Sequence, residues 1–196
     1  MSDNDVRTRR PRRPFDRQQG LKKAQRLFHQ KGFDGVSVAD LTELLDINPP
    51  SLYSAYGSKA GLFEQALLHY VSEQALPLSE IFEGRELGDA VTLLFLSAAD
   101  MYSRDKLCRG CLVTEGARAA DLEARAIAQK FSSGMTETIR QEIAKRACAD
   151  AGILTDVVVT VLRGLSASAY TGMDSRRLST LASRTGAMFK AGLSPA

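Results

Sequence analysis

Histidine and cysteine are scarce in this chain, and the scarcity argues against several kinds of protein. The two histidines, His29 and His69, are 40 residues apart and offer no metal-ligand spacing. The three cysteines are an odd number and only Cys108 and Cys111 are close in sequence, which argues against a disulfide-stapled secreted fold. No run approaches the roughly 20 apolar residues of a membrane span. The Arg-rich start has no apolar segment behind it to make a signal peptide, so a cytoplasmic protein without a membrane partner is expected. Gly-rich phosphate loops, nucleophile elbows and a helical HExxH are also missing, so neither an enzyme nor a cofactor is expected. No internal repeat stands out.

What is present is a core and an uneven charge. With 196 residues, 44% of them apolar, the chain can build one large domain or two small ones. The net charge is only +3, yet residues 1–59 carry 11 Lys/Arg against 7 Asp/Glu, and the remainder carries 15 against 16. The positive excess therefore belongs to the N-terminal segment, as expected if that part meets phosphate. Arg7, Arg9, Arg10, Arg12 and Arg13 crowd into a Pro-broken leader, residues 1–14, that reads as a disordered basic arm. Such an arm can follow a DNA backbone or insert an arginine into a narrow minor groove, with Arg12 and Arg13 as the candidates. A solubilising tail is the other reading.

Helix one is expected from about Asp16, as N-cap, to Lys31, with Gly32 at the C-cap. Leu21, Ala24, Leu27 and Phe28 give it an apolar face, and Phe33, Val36, Leu41, Leu44, Leu52 and Tyr56 complete a small three-helix core that needs something attached. The tract Ser37 to Lys59, SVADLTELLDINPPSLYSAYGSK, reads as two short helices around a tight turn. Ser37 caps the first, Asp40 completes the capping arrangement, and Val38, Leu41, Leu44 and Leu45 form its buried stripe. Asp46 tolerates the left-handed backbone of the turn. Asn48 caps the second helix, where Pro49 and Pro50 occupy the first turn at no cost in hydrogen bonds and pre-set its direction. This is the layout of a DNA-reading helix-turn-helix. A plain helical hairpin with core tyrosines is the alternative, and the basic context weighs against it.

INPPSLYSAYGSK resembles the second helix and exit of the tetracycline-repressor (TetR) family of bacterial regulators. The resemblance implies that this short helix enters the major groove, with Tyr53 and Lys59 on phosphates and Asn48, Pro49, Ser51 and Ser54 nearest the bases. Ser37 joins them as a DNA-binding candidate at the start of the preceding helix. Two departures stand out: the family commonly has glycine where Asp46 stands, and Pro49 replaces a residue that can often donate a hydrogen bond. Pro49 therefore favours apolar contact with a thymine methyl.

After Gly57, Ser58 caps a helix with apolar positions Leu62, Phe63, Ala66, Leu67, Tyr70 and Val71, expected to end near Pro77, with Gly84 and Gly88 in the following loop. Further helices are expected over about 87–102, 112–119 and 122–149, the last with Ile127, Phe131, Met135, Ile139 and Ile143 inward, then 155–173 and 175–193. The fold class is all-α: a helix-turn-helix domain at 15–57 joined to a larger helical ligand-binding and dimerisation domain at 58–196. Gly164, Ala167, Ser168 and Gly172 would admit another helix closely. By the resemblance, the last two helices form a four-helix bundle with their mates, and Val157, Val161, Gly164, Leu165, Ser168, Leu178, Leu181 and Met188 are carried onto that homodimer interface. A wholly intramolecular core is the alternative.

The resemblance also implies a repressor that leaves DNA when a small molecule enters a pocket between the fourth and seventh helices. Candidate wall residues are Phe63, Leu67, Phe95, Ala98, Met101, Cys111, Leu112, Ile127 and Phe131, each of which can equally be ordinary packing. Arg109 could lower a thiol pKa at Cys108 or Cys111 and a helix N-terminus would favour thiolate, which makes a thiol-reactive inducer conceivable beside inert buried cysteine. The sequence thus reads as a homodimeric repressor on a near-palindromic operator, found with the nucleoid when DNA-bound and released by an unknown small-molecule inducer. The rivals are a helical interaction protein with a nonspecific basic arm, and a Cys108-x-x-Cys111 redox protein that lacks the βαβ pattern such chemistry uses.

Overall fold

The structure, a computed structural model, describes residues 16–147 and 149–193. The basic arm, with Arg12 and Arg13, lies outside the described residues, as does Cys148. Within them the chain forms ten helices: α1 (Arg17–Lys31), α2 (Val38–Leu45), α3 (Pro49–Tyr56), α4 (Lys59–Gln74), α5 (Leu78–Phe82), α6 (Leu87–Ser103), α7 (Leu112–Gly116), α8 (Leu122–Ala144), α9 (Ala151–Tyr170) and α10 (Ser175–Gly192).

Local chemistry sets the first four boundaries. Asp16 accepts hydrogen bonds from the N–H groups of Gln18 and Gln19 and starts α1, and Gly32, at φ 70°, ends it. Ser37 and Asp40 form a reciprocal capping box at α2, with Asp40 N–H donating to Ser37 Oγ at 3.0 Å and Ser37 N–H donating to Asp40 Oδ2 at 2.7 Å. Asp46 turns the chain at φ 51°, the one non-glycine residue at positive φ among those described. Asn48 Oδ1 accepts from Ser51 N–H at 2.9 Å, and Pro49 and Pro50 stand at the first two positions of α3. Of the expected α2 stripe, Leu41 and Leu45 are buried while Val38 and Leu44 are half-buried.

Two hydrophobic cores result. The first joins α1–α4 to Leu112, Val113, Ala119, Ala124 and Ala128, so the small three-helix core is completed by α4, α7 and the start of α8. Phe28, Phe33 and Phe63 meet at its centre, with ring centroids 5.1–5.9 Å apart. The second core is made by α5, α6, α8, α9 and α10. Polar ties cross between the halves: the N–H groups of Ala120 and Asp121 donate to the Asp34 carboxylate at 2.7 and 3.2 Å, and Arg26 pairs with Asp105 at 2.8 Å.

The later boundaries differ from expectation. Gly88 lies inside α6 rather than in a loop, because α5 takes up the chain after Pro77 and leaves Gly84 as the turn. The helix expected to reach residue 149 stops at Ala144, and α9 begins at Ala151. Among the described residues one helix, α9, is long and apolar enough to cross a membrane by length and composition, with a mean hydropathy of 1.4. It packs its inner face on α6, α8 and α10, and 39% of that apolar window is buried.

Candidate functional site

The surface of the helix-turn-helix is built by α3. Leu52 and Tyr56 point into the first core, and the Tyr56 hydroxyl donates to Arg17 O at 3.2 Å, which locks α3 against α1. With that face spent inward, Asn48, Pro49, Ser51, Tyr53 and Ser54 are all exposed, Tyr53 at 47%. Ser37 is exposed too, although its hydroxyl is engaged in the capping box. Lys59 is the first residue of α4, following the Ser58 cap, so it stands at a helix N-terminus. Its ammonium rests 3.9 Å over the Phe33 ring centroid, and burial lowers its pKa below the ordinary value against the pull of Asp34, Asp121 and Asp40. The described sequence-predicted residues of the DNA set are thus exposed apart from Lys59, which is half-buried with its ammonium folded back onto an aromatic face.

On the other side of α4 lies a cavity of about 710 Å³, bounded by the end of α4, α5, α6, α7, α8 and α9. Its size and apolar lining are those of a small-molecule site. Met101, Cys111 and Phe131 line it as expected. Six expected wall residues do not. Phe63, Leu67 and Leu112 are sealed in the first core, Phe95 and Ala98 in the second, and Ile127 packs against the first. Their places are taken by residues not expected as cavity wall, notably Tyr70, Tyr102, Met135, Ile139, Val159 and Leu162. The helical spacing of Met135 and Ile139 marked an inward face, but not that the face opens on empty space.

The cysteine segment is held differently from expectation. Arg109 points away from the thiols and donates to the carbonyls of Ala169, at 2.7 Å, and Met173, clamping the end of α9. Its guanidinium is thereby committed to the end of α9. Cys108 is buried against α1, near Gln30 Nε2 and Arg26 O, and burial pushes its thiol pKa up. Cys111 is half-buried and faces the cavity, with its N–H donating to Ser166 Oγ at 2.9 Å. Beside it the Tyr70 hydroxyl is buried and makes no well-formed hydrogen bond among the described residues, with the Cys111 side chain and the Leu112 backbone as its polar neighbours, and burial raises its pKa well above the ordinary value. The Tyr70 ring meets His29 of α1 edge-on at 5.4 Å. One residue thus touches both the cavity and the helix-turn-helix half.

Of the residues carried onto a dimer interface, Val157, Gly164, Leu181 and Met188 are exposed and Val161 and Ser168 half-buried. Leu165 and Leu178 are a correction: they are 1% and 0% exposed in the second core, on the inner sides of α9 and α10, where no partner reaches them.

Known proteins resemble the chain over about nine-tenths of its length. Residues 21–66, spanning α1 to the first half of α4, match the bacterial regulatory proteins of the tetR family. The HTH-type transcriptional repressor BdcR of Escherichia coli (strain K12) is 44% identical over 182 residues, 92% of each chain, and the HTH-type transcriptional repressor ComR of the same strain is 27% identical over 183, 87% of each. A cysteine mutant of the TetR family transcriptional regulator CifR, complexed with 26-base-pair double-strand operator DNA, is 33% identical with a TM-score of 0.79, covering 91% of this chain and 98% of that one. High identity to a repressor over nine-tenths of both chains, together with the capped helix-turn-helix at the matched residues, means that this chain belongs to the TetR family of helix-turn-helix transcriptional repressors.

Proposed function

We propose that the protein is a homodimeric repressor that binds a near-palindromic operator in the cytoplasm, at the nucleoid, and leaves it when a small molecule fills the cavity. The exposed face of α3 supports this most directly: Asn48, Pro49, Ser51 and Ser54 are free to meet base edges while Leu52 and Tyr56 hold the helix in place. Tyr53 takes a phosphate, and so does Lys59 after leaving Phe33. Arg12 and Arg13 add backbone or minor-groove contact from the arm. Residues 15–57 serve as the DNA-reading unit and 58–196 as the ligand-binding and dimerisation unit.

Cys111 supports a second form of the release step, in which the inducer reacts with a thiol, because its side chain faces the cavity while Cys108 is shut away. Both forms are tested with one probe. Duplexes are selected from random DNA at near-physiological salt and sequenced, and a near-palindrome with half-sites about 34–36 Å apart, or a multiple, is expected. Salt-sensitive binding without an enriched sequence would remove the operator reading. N-ethylmaleimide added to the recovered complex releases the DNA from the wild type and not from Cys111→Ser if the thiol is the sensor; equal release from both excludes Cys111.

A further inference from the structure

The cavity has an apolar interior and a cationic edge. Three residues on its wall carry formal charge, Lys130, Glu142 and Arg163. Glu142 is already held by Lys145 at 2.6 Å and Arg146 at 3.2 Å. Lys130 and Arg163 have no carboxylate within ion-pairing distance among the described residues, although they come from different helices, α8 and α9. The wall's uncommitted charge is therefore wholly positive.

Arg163 also marks a passage. A smaller pocket of about 500 Å³ adjoins the cavity and shares Thr114, Ser132 and Arg163 with it, adding Ala117, Arg118, Gln129 and Ser133. Its lining is polar where the inner chamber presents Met101, Met135, Ile139 and Leu162. On α9, Arg163 falls on the side of Val159 and Leu162, roughly 120° from the outward row of Val157, Val161 and Gly164, at about 100° per residue. A partner seated on that row leaves Arg163 available to a ligand.

From this arrangement we infer that the cavity takes an amphipathic anion, an apolar molecule with a carboxylate head. The body lies among the methionines and aliphatic side chains, and the head sits at the shared opening against Arg163, with Lys130 adding positive charge elsewhere on the cavity wall. Burying the body supplies most of the affinity, and the guanidinium supplies selection, since it meets a carboxylate in a planar, charge-assisted pair. A cationic head of the same length is rejected, because it would face two unpaired positive side chains with no free acid to answer it. The inference rests on the cavity being the sensing site.

The test uses the full chain and three probes of one tail length: decanoate, decan-1-ol and decyltrimethylammonium, titrated calorimetrically below their micelle concentrations at about 0.15 M salt, where exposed charges are screened beyond roughly 8 Å. Decanoate is expected to bind more tightly than decanol, with no binding of the ammonium. Arg163→Gln should weaken decanoate by about tenfold, Lys130→Gln should weaken it less, and both should leave decanol within about twofold. Both side chains are exposed, so folding is not at stake. Decanol binding as well as decanoate, or a double variant that keeps the preference for decanoate, overturns the inference. Adding the operator complex separates the two readings. Arg163-dependent decanoate binding that leaves DNA bound refutes ligand-induced release and spares the anion site. A neutral compound that releases the DNA, with no decanoate binding, does the reverse.

Discussion

His29 shows how one side chain can carry a pH dependence. It is 5% exposed, its Nε2 makes no well-formed hydrogen bond among the described residues, and burial lowers its pKa below the ordinary value although the neighbouring Gly110 and Arg109 backbone and the Asp105 carboxylate favour the charged form. The folded chain therefore keeps the imidazole neutral, while the unfolded chain protonates it near pH ~6.5. Its stability contribution is complete above that pH, falls as the pH drops through it, and levels off below the folded pKa. The slope in that window reaches at most about 1.4 kcal/mol per pH unit. Asp34, Asp40 and Asp105, whose pKa values are lowered, act in a separate window: their stabilisation is present above pH ~4 and is lost below it. Urea unfolding of the wild type between pH 5 and 7.5 should show the loss, and His29→Phe should flatten it. An unchanged slope in the variant would place the proton elsewhere. At this scale the sequence is most informative where the interaction is local: Ser37 with Asp40, Asn48 with Ser51 and the left-handed Asp46 each involve residues within three positions of one another. Arg109 was illegible for the opposite reason, since its acceptors lie 60 and 64 residues away.

Among the elements, α6 and α10 make the closest approach. A Cβ at Gly186 would lie 2.6 Å from Thr92 Oγ1 and 2.9 Å from Thr92 Cα, and one at Gly88 would lie 2.8 Å from Lys190 Cβ. The two helices therefore approach closely at two points about one turn apart, near the start of α6 and the end of α10, with Lys190 and Asp89 paired beside them at 2.6 Å. Because Thr92 Cα cannot rotate away, Gly186→Ala must push the helices apart and is expected to cost about 1–3 kcal/mol, even though alanine favours helix. Chemical denaturation measures this, and a stabilised variant would contradict the packing. The crossing also explains why Gly88 reads as a loop signal in the sequence: glycine serves as readily for close approach as for a turn. The five-residue helices α5 and α7 were lost or overextended because so few positions carry little helical periodicity. The cavity wall was the least legible feature. Phe63 and Phe131 both occupy apolar faces, and only the folded chain shows that the first meets Phe28 and Phe33 while the second borders open space.

For the whole molecule, the decisive feature is the outer side of α9 and α10. Only 39% of the most apolar window of α9 is buried, leaving Val157 42% exposed, and on α10 Leu181 and Met188 are 41% and 74% exposed. Gly164 lies in the same outward row with nothing within 4 Å of where its Cβ would be. Residues 157, 161, 164 and 168 recur at helix-seam spacing, so one face of α9 presents small and apolar groups along its length. If the operator is near-palindromic, as proposed above, a second copy is the occupant that fits this face, because a symmetric pair would place two α3 helices on matching half-sites. Leu181→Glu combined with Met188→Glu would put four carboxylates into that seam. The variant should sediment as a monomer at micromolar concentration with the helix content of the wild type. Its affinity for the full operator should fall by about 10²-fold or more, because the second half-site is no longer tethered to the first, while binding to an isolated half-site stays unchanged. A variant that remains dimeric would move the interface off α10, and a monomer that keeps full operator affinity would break the link between pairing and DNA recognition.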